Sequence, residues 1–119
     1  MPENPVSIAA SAFKSGRFNC AQSALAGFQK ELGLSDEAIA EAKAWGGGRA
    51  EGGRCGALHA ILSLLESEDD RVRMSEAFSE AAASELCREI RQAGKLKCPD
   101  CVALAAKLLA SSRGQGARP

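Results

Sequence analysis

The sequence predicts an all-α fold, a single compact bundle of five to six helices with a glycine-rich loop before the central helix. Three observations predict it. Alanine and leucine dominate, tyrosine is absent, and no stretch sustains the apolar/polar alternation with β-branched residues that a strand needs. Apolar residues recur instead at three- and four-residue spacing in one segment after another. Asn, Ser, Gly and Pro punctuate these segments where helices begin and end.

Asn4 is placed to cap a first helix, with Pro5 at its first position, Val6, Ala9, Ala10 and Phe13 on one face, and Gly16 as its stop. Asn19 caps a second, whose Ala21, Leu25, Phe28 and Leu32 repeat at helical spacing up to Gly33, with Cys20 in its first turn. Ser35 opens a third, with Asp36 and Glu37 against the positive end of its dipole and Ala38, Ile39 and Ala42 inward, ending at the glycines. "CGALHAILSLLE" is apolar on most faces and reads as the central helix of the bundle, with Cys55 at its start. Ser67 and Asp70 resemble a capping box opening a long helix from about 68 to 93. Its core stripe is Met74, Phe78, Ala82, Leu86 and Ile90, and Cys87 lies near its C-terminal end. Cys98 takes the next cap position, Pro99 the first helical position, and Val102, Ala105, Leu108 and Leu109 the apolar face of the last helix.

With 119 residues, 45% of them apolar, the chain has room for one domain, expected over 1–110, followed by a flexible tail over 111–119. Lys plus Arg equals Asp plus Glu at 15 each, so no basic field exists to drive nucleic-acid or anionic-membrane binding. No run approaches the roughly 18 apolar residues of a membrane span, and the N-terminus lacks the pattern of a signal peptide. A cytoplasmic location is expected. The apolar faces of the short first and last helices would suit a homodimer.

Five cysteines, Cys20, Cys55, Cys87, Cys98 and Cys101, are odd in number and widely spaced, unlike a secreted disulfide framework. They suggest metal ligation or redox chemistry, with burial as small hydrophobes the plain alternative. Cys20, Cys55, Cys98 and Cys101 fall at or within the first turn of predicted helices. Unpaired N–H groups there stabilise a thiolate, lowering its pKa below the roughly 8.5 of a free thiol.

"GRAEGGRC", Gly48 to Cys55, has the outline of a phosphate-binding loop, but arginine replaces its lysine, cysteine replaces its hydroxyl residue, and a helix precedes it. Its glycines fit better as a backbone that approaches something held beside Cys55. "CPDC", Cys98 to Cys101, has the spacing of dithiol and metal sites, without the strand and sheet of a thioredoxin-like fold. His59, the single histidine, stands four residues after Cys55 on one helix face, as a metal ligand, a proton shuttle or a partly exposed helix residue. Trp45 reads as packing.

Three pieces, "GRFNCAQSALAGF", "WGGGRAEGGRCGA" and the later "ELCREI" with "CPDCVALAAKLL", resemble the small redox-active cysteine proteins named for the pattern C_GCAxxG_C_C. The resemblance spans most of the chain and departs from the family's pattern at Ala60, where a glycine is expected. It maps the family's four cysteines to Cys20, Cys55, Cys87 and Cys98, with Cys101 as an extra thiol or as the fourth match instead. The family in turn resembles an iron–sulfur domain of split-Soret cytochromes, which by analogy implies a cluster here. The expectation is a [2Fe–2S] cluster on Cys20, Cys55, Cys87 and Cys98 for electron transfer with a redox partner protein that the sequence does not name. Gly46, Gly47, Gly48 and Gly56 would lie against the cluster sulfurs. The alternatives are a thiol–disulfide protein using Cys98 and Cys101 or Cys55 and Cys87, and structural zinc with His59 or Cys101 as a further ligand.

Overall fold

A computed structural model describes residues 4–112, and every secondary element with a run of its own is helical. Seven α-helices follow in chain order: α1 Pro5–Lys14, α2 Cys20–Leu32, α3 Asp36–Glu41, α4 Gly56–Leu62, α5 Glu68–Ala82, α6 Cys87–Ala93 and α7 Cys98–Ser112. The only β pairing among the described residues is an isolated bridge between Arg54 and Leu86. The all-α expectation holds, with more helices than the five to six expected. Residues 113–119 of the expected tail lie outside the described residues.

Local chemistry sets most of the helix starts. Asn4 accepts from the Ser7 N–H, and Asn19 and Gln22 form a reciprocal capping box at the head of α2. Ser35 and Ser67 cap α3 and α5 in the same way. The last helix begins at Cys98 itself, one residue earlier than expected, and the Asp100 carboxylate accepts from the Lys97 N–H at 3.0 Å.

Two sequence expectations are corrected. The long helix over about 68 to 93 breaks into α5 and α6, because Ala83 turns left-handed (φ 82°) and Leu86 is extended. The break is stabilised from outside and from within: the Cys55 N–H donates to the Glu85 carbonyl at 2.7 Å, and the Ser84 hydroxyl accepts from the Leu86 N–H at 3.0 Å. One tertiary and one local hydrogen bond thus satisfy backbone groups that the break takes out of the helix. Cys87 therefore opens α6 and does not sit near the end of a long helix.

The second correction concerns the glycine stretch, which is not an open loop. Two 3₁₀ segments, Ala42–Gly48 and Glu51–Gly53, fill most of it. The Arg49 side chain ties the first segment down by donating to the carbonyls of Gly46 (2.9 Å) and Lys43 (3.0 Å). Asn19 donates to Lys43 as well, at 2.8 Å, which fastens the head of α2 to this segment.

Helices α2, α4 and α7 meet at the centre, with α1 packed across α2 and α7 and α5 against α4 and α7. The central helix α4 buries six of its seven residues, as its unbroken apolar run predicts. Phe28, Phe78, Leu58, Ile61 and Val102 are fully buried, each worth about 1.5–3 kcal/mol relative to exposure. Between them stand fully buried alanines, including Ala57, Ala60 and Ala105, whose small side chains allow close helix approach. Ala60, where the family pattern expects glycine, is thus accommodated within the core.

A chamber lined by five cysteines

Four separate helix starts bring the cysteines together. Cys20 opens α2, Cys55 caps α4, Cys87 opens α6, and Cys98 and Cys101 lie on the first turn of α7. All five line one cavity of about 50 Å³, with Gly56, Ile90 and Leu96 completing a largely apolar wall. Such a space holds a few water molecules at most.

The chamber is graded from inside to outside. Cys20, Cys55 and Cys101 are buried, Cys87 is half-buried and Cys98 is exposed. Arg91 and Lys97, both exposed, stand at the rim. These two cations were not singled out from the sequence, although Arg91 lies four residues after Cys87 on one helix face and Lys97 adjoins Cys98.

The two innermost thiols are not equivalent. The Cys101 thiol hydrogen-bonds the Cys55 sulfur, and this contact is the main reason that the Cys55 pKa falls from its ordinary value to about 7, against the opposing effect of burial. The N–H groups of Ala57 and Leu58 add to the effect, although neither closes a full capping hydrogen bond to the sulfur. Cys101, as the donor of that bond and beside the Cys55 charge, is pushed strongly upward. As pH rises through about 7 the pair therefore becomes a thiolate held by a thiol. At Cys87, burial raises the pKa and Arg91 partly offsets it.

Glycine is required where α4 meets the 3₁₀ segment. A Cβ on Gly56 would stand 2.6 Å from the Trp45 carbonyl oxygen, 2.9 Å from the Cys20 sulfur and 3.1 Å from the Gly46 Cα. A Cβ on Gly46 would stand 2.7 Å from the Asn19 Cγ. These two glycines let the heads of α2 and α4 close around the sulfurs. Gly47 and Gly48 belong to the same 3₁₀ segment.

His59 lies elsewhere. Its ring meets Trp45 edge-on at 4.8 Å between centroids, its Nδ1 is 3.3 Å from Arg54, and it faces an outer cleft with Glu51 and Glu85. Desolvation first, and then Arg54, lower its pKa, so it is neutral at pH 7. One turn of helix carries it away from the sulfurs of the chamber. Among the described residues, no three Cys, His, Asp or Glu side chains stand close enough together to hold one metal ion.

The arrangement of cysteines is the signature of a known group. A family model described as "Putative redox-active protein (C_GCAxxG_C_C)" matches residues 18–112. The chain belongs to this family. Redox chemistry at the cysteines is thus the activity to which the C_GCAxxG_C_C membership and the chamber both point. No curated protein and no solved structure matches the chain. No helix among the described residues is long and apolar enough to cross a membrane.

Proposed function

We propose that this C_GCAxxG_C_C protein is a thiol–disulfide redox protein whose working pair is Cys55 and Cys101. The observation that carries the reading is the placement of two buried sulfurs, Cys55 and Cys101, in one small apolar chamber, where their interaction holds the Cys55 pKa down to about 7. A thiolate is the form that attacks a disulfide sulfur, and a neighbouring thiol is what resolves the mixed disulfide. An external disulfide R–S–S–R takes two electrons from the pair. Cys55–S⁻ and Cys101–SH become Cys55–S–S–Cys101, and with one proton from solvent two molecules of R–SH leave. The apolar wall keeps water and stray oxidants from Cys55.

The test is oxidation of the reduced protein by a small disulfide, followed by alkylation and peptide mapping. A Cys55–Cys101 disulfide is the expected product. Recovery of both residues as free thiols after full reaction of the exposed cysteines overturns the reading.

A second reading is favoured by a different observation, the convergence of Cys20, Cys55, Cys87 and Cys98 from four helix starts on one apolar cavity. Four thiolates are the donor set that a [2Fe–2S] cluster uses, so the residues present match that group in number and chemistry, while the chamber of about 50 Å³ would have to widen to admit it. Bound there, it would supply one-electron transfer, with those four cysteines as its ligands and Cys101 donating a hydrogen bond to the Cys55 sulfur. Iron and labile-sulfide assay of anaerobically purified protein separates the two: a colourless, iron-free protein sinks this reading. Zinc on the same cysteines predicts a colourless protein that a chelator unfolds.

A further inference from the structure

Cys87 belongs to two walls at once. On its inner side it lines the cysteine chamber, and on its outer side it lines a surface cleft of about 660 Å³ between Gly52–Gly53 and the flank of α6 from Leu86 to Gln92. Building on the Cys55–Cys101 reading, we propose that this cleft takes a low-molecular-weight disulfide whose carrier bears carboxylates, and that Cys87 passes its oxidation inward to Cys55.

The charge in the cleft selects the ligand class. Arg88 and Arg91 both line it, no acidic residue does, and among the described residues neither arginine has an ion-pair partner. The acidic residues nearby are engaged elsewhere: Glu89 accepts from the Ser84 hydroxyl at 2.7 Å, and Glu85 pairs with Arg54 at 3.2 Å. In a chain with as many acids as bases, two unpaired guanidinium groups beside a thiol are a local excess of positive charge suited to carboxylates.

Size supports the same division of labour. The cleft falls in the range of small-molecule sites, roughly 300–1,000 Å³, whereas the chamber of about 50 Å³ admits no such molecule. Gly52 and Gly53 form the opposite side with left-handed backbone (φ 67° and 81°), and no atom lies within 4 Å of where their Cβ atoms would stand, so that side is open. The substrate reacts at the wall, and only the oxidation enters.

The exchange balances in three steps. Cys87–SH and R–S–S–R give Cys87–S–S–R and R–SH, the thiol proton leaving with the first thiolate. Cys55–S⁻ then attacks the Cys87 sulfur, forming Cys55–S–S–Cys87 and expelling R–S⁻, which takes a proton from solvent. Finally the Cys101 sulfur attacks Cys55, releasing Cys87 as a thiolate that takes up the proton Cys101 gives up. Two electrons have passed from the inner pair to the external disulfide.

The experiment uses the reduced full chain and three disulfides: glutathione disulfide (anionic), hydroxyethyl disulfide (neutral) and cystamine (cationic). Rates are normalised to those of a small free thiol with each reagent, and sites are mapped after acid quenching. The expected result is first modification at Cys87, fastest with glutathione disulfide, with that advantage falling about tenfold in R88Q/R91Q and shrinking at high salt. Both substitutions fall on exposed side chains, and because Arg91 also offsets the raised Cys87 pKa, the hydroxyethyl disulfide rate of the same variant is the reference against which the anionic advantage is read. Equal normalised rates for the three reagents, an unchanged preference in R88Q/R91Q, or first modification at Cys98 overturns the proposal. If Cys55–Cys101 forms with every reagent without preference, the substrate class fails and the dithiol reading stands. If Cys87 is modified with the anionic preference while Cys55 and Cys101 stay reduced, inward transfer and the dithiol reading fail together.

Discussion

The inner pair of the chamber and its rim carry the same side chain and differ in nearly everything else. Cys55 and Cys101 are 5% and 4% exposed and share one hydrogen bond, whereas Cys87 and Cys98 meet solvent beside Arg91 and Lys97. Inside, the Cys101 thiol is the main influence that lowers the Cys55 pKa. At the rim, reactivity depends on access and on neighbouring cations. Thiol chemistry here is assigned by position within the fold, and each position can be perturbed separately.

The largest expected effect comes from Cys101→Ala. It removes both the resolving thiol and the bond that holds the Cys55 charge, so no inner disulfide forms and the Cys55 pKa rises from about 7 toward the range of a free thiol. Thiolate absorbance against pH checks the shift, and peptide mapping checks the disulfide. In the unmodified chain, attack by Cys55 on a preformed Cys87 mixed disulfide should accelerate about tenfold per pH unit below about 7 and level off above it, because the lowered pKa makes protonation of Cys55 the limiting factor only on the acid side. A profile without a break near 7 would place the reactive thiolate elsewhere.

Gly56→Ala tests how tightly the heads of α2 and α4 must close. Its methyl would crowd the Cys20 sulfur and the Trp45 carbonyl, at a cost of about 1–3 kcal/mol in denaturant unfolding. Ala83→Gly acts in the opposite direction, relieving a left-handed alanine at the end of α5 and stabilising the chain by about 1 kcal/mol. The smallest effect is expected at the rim, where Cys98→Ser should change stability by less than about 0.5 kcal/mol, since the side chain is exposed. A larger loss would show that Cys98 is bound into the chamber as firmly as the inner pair.

Much of the fold was legible because helix starts are local events. Asn4, Asn19, Ser35 and Ser67 cap where their side chains predict, since each bond spans only three residues. The run from Met74 to Ile90 misled for the same reason. Its apolar spacing is helical throughout, with Met74, Phe78, Ala82 and Ile90 buried as read, yet Ala83 breaks it for a hydrogen bond from Cys55 to Glu85, thirty positions away. The spacing of Cys55 and His59 misled in a similar way, since one turn of helix was enough to carry the imidazole to Trp45 and Arg54.

The sequence by itself determined that this protein is helical, that thiols stand at the heads of its helices, and that glycines lie next to Cys55, because propensity, capping and periodicity act within a few residues. Only the tertiary structure decided that Cys101, the apparent extra, is the thiol against Cys55, that Cys87 divides a chamber from a cleft, and that His59 faces away. Those outcomes depend on how four helix starts, distant in the chain, pack into one volume, and no local spacing encodes that distance.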